Sequence, residues 1–325
     1  MDTRKIIAFG KSTYSITLPK KWILDNKLGK GDTVSIRELP LGRLEISPSS
    51  RQAEKAKRIS INIEDKPLKE IQREFLAAYT KGYSIIDLLG DHEGKVSELR
   101  RRLHELIAVE VMEVAPKRIT ANVFFDVSTI SLPNIISRLE LITKTILDDT
   151  QSILKRGKRG EMKYRELMEK KREVDRQSLF AIRIIVNALT DPVFAAGIGG
   201  DPLKLSYIWH LIEYMEKISD YILTIAFYMT STNLVERLGI QGRNNVYNIF
   251  SDVGHTYAHA LKSYNKNSVP LANQVFDMHT KNDKNLYNIH SRYKNRWVPI
   301  LTGYLRRTSS KSRDIARITI NMNTA

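Results

Sequence analysis

The chain has 325 residues, of which 42% are hydrophobic and 27% charged, and its formal net charge is +16 at pH 7. This composition excludes a largely disordered chain, and the length allows two or three domains. Because there is no cysteine, disulfides, Cys-ligated metals and cysteine nucleophiles are excluded. No apolar run has the length of a membrane span and no signal peptide is recognised, so we expect a cytoplasmic protein without membrane insertion. The positive charge favours an anionic partner.

Residues 4–48 are predicted to form four short strands, with one or two helical turns between the second and third. The predicted segments are 4–9, 14–18, 22–28, 33–37 and 43–46. Gly10, Pro19 and Gly42 separate them, as turn residues do. So short a unit cannot bury enough apolar surface to fold alone, since it has neither disulfide nor metal. We therefore expect two chains to interleave their hairpins in a homodimer.

Two motifs in this unit point to a known family. They are GKSTYSITLPK at 10–20 and LGKGDTV at 28–34. Their spacing resembles that of the AbrB/SpoVT family of swapped-hairpin DNA-binding domains. The resemblance implies that residues 1–50 form such a domain.

The same unit is rich in basic residues, with twelve Lys or Arg against six Asp or Glu in residues 1–57. Five of them lie at the ends and turns of the predicted strands, where basic side chains suit contacts with DNA phosphates. These candidate DNA-binding residues are Arg4, Lys5, Lys11, Lys20 and Lys21. The alternative is a solvated basic face on a domain that only dimerises the chain.

A domain boundary is predicted near residue 50, where Ser47-Pro48-Ser49-Ser50 combines a structure breaker with small polar residues. The next domain, at 55–130, has the predicted element order βαβαββ. That order indicates a small α/β domain, a sheet with helices on one face. Asp87, Asp91 and His92 lie close together in the sequence and suggest either a metal cluster or a polar turn, of which we favour the turn.

Residues 131–325 are predicted to be helical, as six helices in two groups of three. The predicted helices are 133–155, 161–188, 201–229, 244–264, 270–293 and 298–321. Apolar residues recur on one face of each, as Ile136, Leu139 and Ile146 do in the first, so each helix is expected to bury one stripe. The predicted fold class is thus multidomain α+β.

Two helical segments in this region resemble the PhoU family of phosphate-uptake regulators, which are built from two three-helix bundles. The segments are REVDR at 172–176 and MEKISDYILTIA at 215–226. Ile222 departs from the family pattern, which has a small residue there. Together the two resemblances imply an archaeal-type regulator in which a hairpin DNA-binding domain is fused to a PhoU-like helical domain.

A metal site is the first candidate function of these helices. Glu216 and Asp220 are one helical turn apart, so both carboxylates emerge on one face and can share a cation, to which Asp175 on the neighbouring helix adds a third ligand. The PhoU resemblance implies a divalent or iron-type metal ion held by these three carboxylates. The alternative is a solvated, charged helix face.

The last helix aligns with the same motif but carries different side chains. Arg306 stands where the motif has Glu and Ser310 where it has Asp, so we expect no second metal site there. Residues 294–325 hold seven Lys or Arg and one acid. They provide either a site for phosphate or an acidic partner, or a plain basic surface, which we favour.

No enzymatic site is recognised, and we expect no catalytic residue. The glycines at 197–200 are not followed by the Lys-Ser/Thr of a phosphate-binding loop, and His255 and His259 lack the Glu of a zinc protease motif. The sequence therefore predicts a cytoplasmic, dimeric, DNA-binding transcriptional regulator of phosphate uptake. The alternative is a DNA-independent PhoU-type adaptor whose helices dock on the ATPase of a phosphate transporter.

Overall fold

The chain divides by its internal contacts into two units, residues 1–57 and residues 58–325. The computed structural model describes residues 3–10, 12–39, 42–48, 57–124, 131–156, 160–191, 194–195, 198, 201–232, 234–293 and 296–324. The class is α+β, with strands in the N-terminal part and helices in the C-terminal part, as predicted. The finer division into three domains stays a prediction, because residues 49–56 and 125–130, where its boundaries fall, lie outside the described residues.

The first unit contains two hairpins and a short helix. Its elements are β1 (Ile7–Phe9), β2 (Thr13–Ser15), α1 (Lys20–Asp25), β3 (Val34–Leu39) and β4 (Arg43–Pro48). β1 pairs antiparallel with β2, and β3 with β4, in two separate two-stranded sheets. Gly10 and Gly42 lie in the two hairpin turns with φ of +69° and +68°, which glycine adopts without steric cost.

One face of the β3–β4 hairpin is mostly apolar and largely exposed, although Glu38 also lies on it. Strand side chains alternate between faces, and Ile36 lies opposite Ile46, so Val34, Ile36, Leu44 and Ile46 share one face. Ile36 is 64% exposed and Leu44 is 66% exposed. No side chain described in this unit is buried. The described residues of a single copy therefore form no hydrophobic core.

The second unit begins with a four-stranded sheet. Its elements are β5 (Arg58–Asn62), α2 (Leu68–Thr80), β6 (Ile85–Leu89), α3 (Val96–His104), β7 (Val109–Ala115) and β8 (Arg118–Val123), in the predicted order. The strands are arranged β5-β6-β8-β7, with β5 parallel to β6 and the other pairs antiparallel. α2 contacts both α3 and the sheet, and its buried Ile71 and Phe75 share a core with Ile86 and Leu88 of β6.

Asp87 departs from the polar turn favoured above, because it lies in β6 with its side chain only 3% exposed. Arg58 donates to its carboxylate at 2.6 Å, Arg118 at 2.9 Å and Thr120 at 2.7 Å. The hydrogen bond from Arg58, supported by those from Thr120 and Arg118, lowers the pKa of Asp87 to about 2 against the opposing effect of burial. The turn interpretation holds for Asp91, whose carboxylate accepts the N–H of Glu93.

Replacing Asp87 by asparagine is expected to lower the free energy of unfolding by about 1 to 2 kcal/mol at pH 7, since the partner arginines are partly solvated. The folded-state pKa lies below the unfolded value of about 3.9, so this contribution is present above pH 4 and lost as the pH falls toward 2. Urea unfolding at several pH values tests this. Asp91→Asn is the matched control, and an equal effect of the two changes would contradict the role of Asp87.

Helices make up the rest of the second unit. They are α4 (Leu132–Arg156), α5 (Gly160–Thr190), α6 (Pro202–Ser231), the short α7 (Leu234–Arg237), α8 (Gly239–Asn265), α9 (Val269–Arg292) and α10 (Val298–Asn323). The six long helices of the described residues match the six predicted ones closely, and Asp201 caps α6 by accepting the N–H of Leu203. None of the described helices combines the length and the apolar character needed to cross a bilayer.

The long helices contact one another in two sets of three, but the contact of α6 with α10 is as extensive as those within each set, so the division into two bundles stays a prediction. α4, α5 and α6 contact one another, and so do α8, α9 and α10. The groups are joined because α6 packs on α10 and α4 on α8. Buried residues of both groups form one continuous hydrophobic core.

α5 also contacts α2, and the contact is centred on a buried arginine. The Arg183 side chain is fully buried, and its guanidinium donates to the main-chain oxygen of Tyr79 in the last turn of α2 and lies 5.0 Å from the centroid of the Tyr79 ring. Burial lowers the pKa of Arg183 to about 10. A cation at the end of a helix is stabilised by the helix dipole. Arg183 thus fixes α5 to the carboxyl end of α2.

Candidate functional site

The three carboxylates predicted to bind a metal converge between α5 and α6. Asp175 lies on α5, four residues after Lys171, and Glu216 and Asp220 lie one turn apart on α6. Residues four apart share a helix face, and the two helices pack against each other. We call Lys171, Asp175, Glu216, Lys217 and Asp220 the carboxylate cluster.

Lys171 lies at the centre of the cluster. Its ammonium forms an ion pair with Asp175, and it lies 2.8 Å from Asp220 Oδ1 and 3.6 Å from Glu216 Oε1. The Lys171 side chain is only 8% exposed. The Lys171 ammonium donates hydrogen bonds to Asp175 and Asp220, whereas Glu216 lies within ion-pair distance only.

Lys217 approaches two of these carboxylates, those of Glu216 and Asp220. Its Nζ lies 3.0 Å from Glu216 Oε2 and 3.4 Å from Asp220 Oδ2, and its side chain is about half exposed. The cluster therefore contains three acids and two bases, a formal net charge of −1. Lys217 contacts Oε2 of Glu216 and Oδ2 of Asp220, whereas Lys171 contacts Oε1 and Oδ1 of the same residues.

The pKa values of Lys171, Lys217, Asp175 and Glu216 are all raised above their ordinary values. Burial raises the pKa values of Asp175 and Glu216, and Lys171 opposes that effect in both. Burial alone would lower the pKa of Lys171, but the charges of Asp175 and Asp220 outweigh it and raise that pKa above its ordinary value. The Lys171 ammonium is therefore held in its charged form at neutral pH.

The metal prediction depends on what lies between these carboxylates. Their oxygens are the ligand type that hard divalent cations prefer. However, the Lys171 ammonium lies where the oxygens meet, and the described residues contain no group of three His, Asp or Glu side chains arranged to hold a metal ion. The residues therefore do not fit a metal in the arrangement that the structure shows, and the metal site stays a prediction.

A cavity of about 700 Å³ opens beside the cluster. Its lining combines the charged side chains of the cluster with apolar residues of α5 and α6 and with Leu76 of α2. Lys311 of α10 also lines it, and the Lys311 ammonium lies 4.6 Å from the centroid of the Tyr214 ring. The cluster is thus accessible from one side.

The corresponding positions of the second helix group have different chemistry. Arg306 forms an ion pair with Asp283 of α9 at 2.9 Å. Arg313 donates to Nε2 of His279 at 3.3 Å, so Nδ1 carries the proton donated to Ser309 at 3.0 Å. Burial, and then the charge of Arg313, lower the pKa of His279, which agrees with a neutral ring.

The positive charges of the basic residues in α10 are partly balanced by nearby acidic and aromatic side chains. Lys311, Arg313 and Arg317 surround the Asp314 carboxylate at 3.2 to 3.4 Å. Arg307 lies 5.2 Å from the centroid of the Tyr304 ring. These local contacts favour the plain basic surface over a phosphate or acidic-partner site.

The candidate DNA-binding residues lie on the first unit. Arg4 and Lys5 precede β1, and Lys20 and Lys21 begin α1, and all four side chains are exposed. Lys11 lies outside the described residues. The exposure of the four is compatible with phosphate contacts.

Lys171, the central residue of the cluster, was not among the predicted site residues. Its spacing of four from Asp175 was a usable signal, because oppositely charged side chains at that spacing commonly pair on a helix. The structure brings the three predicted ligands together, but the cation that lies between them is the Lys171 ammonium.

Comparisons with known proteins identify no family. No protein-family model matches the chain, and no curated protein sequence matches it significantly. The resemblances to AbrB/SpoVT and PhoU proteins therefore stay predictions that depend on the motifs quoted above.

Proposed function

We propose that the protein is a cytoplasmic, homodimeric, DNA-binding transcriptional regulator of phosphate uptake. The observation that carries the proposal is the first unit, which combines a mostly apolar, largely exposed hairpin face with exposed basic side chains. The helical region acts in this proposal as the sensing or interaction part.

A second copy of the chain is the partner that best suits the apolar face. The face belongs to a unit without a buried side chain among its described residues, so folding and association are expected to be coupled. Exchange of identical hairpins between two copies covers the same apolar residues in both. This agrees with the AbrB/SpoVT resemblance.

The basic residues supply the contacts with DNA in this proposal. A two-fold dimer presents each of Arg4, Lys5, Lys20 and Lys21 twice, which suits two half-sites on a duplex. Phosphate contacts of this kind fix the position of a protein on DNA and make binding depend on salt. Phosphate uptake as the regulated process is supported by the PhoU-like motifs in α5 and α6.

Replacing Lys21 by alanine is expected to weaken binding to all DNA sequences alike. Each lost phosphate contact should reduce the slope of log affinity against log salt by about one per half-site. Fluorescence anisotropy with a mixed-sequence DNA duplex, measured over a salt series, tests this. Lys144→Ala, which removes an exposed lysine of α4, is the matched control and should leave the slope unchanged.

The alternative, a DNA-independent adaptor for the transporter ATPase, gives a different result. A wild-type dimer without salt-dependent affinity for DNA would overturn the regulator proposal and support the adaptor. Equal slopes for Lys21→Ala and wild type would show that DNA binds elsewhere on this basic chain.

A further inference from the structure

We propose that Lys171 is the resident cation of the carboxylate cluster, and that the cluster binds a divalent metal ion only when Lys171 is removed. The inference is independent of DNA binding and concerns α5 and α6 alone. In this proposal the Lys171 ammonium takes the position that the sequence predicts for a metal ion.

The first argument is geometric. Lys171 contacts all three carboxylates, with 2.8 Å to Asp220 Oδ1 and 3.6 Å to Glu216 Oε1 in addition to its pair with Asp175. A divalent cation bound by the same oxygens would have to lie at about 2.0 to 2.6 Å from them. It would then be in contact with the Lys171 ammonium, so one cation excludes the other.

The second argument is burial. The Lys171 side chain is 8% exposed. Moving its ammonium out of the cluster would separate it from three carboxylates and leave their charges without a buried partner. Lys217 is about half exposed and can move into solvent without leaving a buried charge behind. Lys171 therefore excludes a metal from the cluster, whereas Lys217 does not.

The third argument is charge. With both lysines the cluster carries −1, and removal of either lysine brings it to −2. Lys171→Ala and Lys217→Ala thus give the cluster the same net charge but remove the positive charge from different positions. A difference in metal affinity between the two variants would therefore reflect the position of Lys171 and not the net charge of the cluster.

The test measures Mn²⁺ binding to the full-length, chelator-treated protein by electron paramagnetic resonance and calorimetry. We expect Lys171→Ala to bind one Mn²⁺ per chain at least tenfold more tightly than wild type, because the carboxylate oxygens that Lys171 contacts become available. Lys217→Ala should bind much as wild type does. Adding Asp220→Asn to Lys171→Ala should abolish the gain, whereas adding Arg306→Ala should not.

Thermal unfolding gives a second readout. Lys171→Ala should be less stable than wild type without metal, because three facing carboxylates repel, and Mn²⁺ should restore its stability. Wild type should keep its unfolding temperature in excess chelator. If Lys171→Ala does not fold, Lys171→Ser, which also vacates the position between the carboxylates, and the chelator experiment on wild type remain decisive.

Three results would overturn the proposal. They are stoichiometric Mn²⁺ binding by wild type as tight as that of Lys171→Ala, no gain in a folded Lys171 variant, and a chelator-induced loss of wild-type stability. The first or the last would establish the metal ion predicted from the sequence.

Discussion

Replacing Arg183 by alanine is expected to lower the free energy of unfolding by about 3 kcal/mol, because the change leaves a cavity where a large, fully buried side chain packs. The main-chain oxygen of Tyr79 keeps the N–H of Gly82, so it does not become unpaired. Removing a buried charge also offsets part of the loss. Lost packing between α2 and α5 is thus the main cause.

The experiment compares Arg183→Ala with Arg183→Met in urea unfolding and hydrogen exchange. Methionine fills much of the same volume without the charge, so it should recover most of the stability and cost about 1 kcal/mol for the lost hydrogen bond. Exchange should accelerate chiefly in the last turn of α2. Equal losses for the two variants would mean that the charge, and not the packing, holds the helices together.

The contact between α2 and α5 can also be tested by a change next to α2. Gly82 follows α2 with φ of +89°, and a Cβ atom there would lie 1.9 Å from Oδ1 of Asn187 on α5. Gly82→Ala combines a strained backbone with this clash, so it should loosen the same exchange-protected region. Its effect serves as a reference for the Arg183 variants.

The second large effect is expected at the dimer. Replacing Ile36 by lysine places a charge on the apolar face of the β3–β4 hairpin, and two-fold symmetry places it there twice. In the proposed dimer both copies of Ile36 would be buried, so losing them should cost about 3 to 6 kcal/mol and weaken the dimer by roughly a hundredfold to ten-thousandfold. Analytical ultracentrifugation of the full chain should then show monomers, and the affinity for DNA should fall because the dimer is lost.

Ser35→Lys is the control for this change. It adds the same charge to the same strand but on the opposite face, so the dimer should persist. A monomeric wild-type protein at micromolar concentration, or a dimeric Ile36→Lys variant, would refute dimerisation through this face.

The long helices were predictable because each repeats its apolar residues over many turns. The start of α6 is marked in addition, since Asp201-Pro202 combines a capping side chain with a residue suited to the first helical turn. α7 has only four residues and was missed, since so short a segment shows no periodicity.

Contacts between distant segments could not be read from the sequence. Arg183 is one of many basic residues in α5, and nothing in its neighbours shows that it will be enclosed against Tyr79. The polar turn was favoured over a metal cluster for Asp87 with Asp91 and His92, whereas the buried position of Asp87 depends on Arg58 and Arg118 on neighbouring strands. Lys171 was overlooked for the same reason, since two of its three partners are on α6.

α5 carries both the centre of the carboxylate cluster and the arginine that holds α2. Asp175 and Arg183 are separated by about 12 Å along the helix axis and by about 80° around it. An α-helix is stiff over this distance, because each turn is bonded to the next. A rotation or shift of α5 would therefore change the cluster and the contact with α2 at the same time.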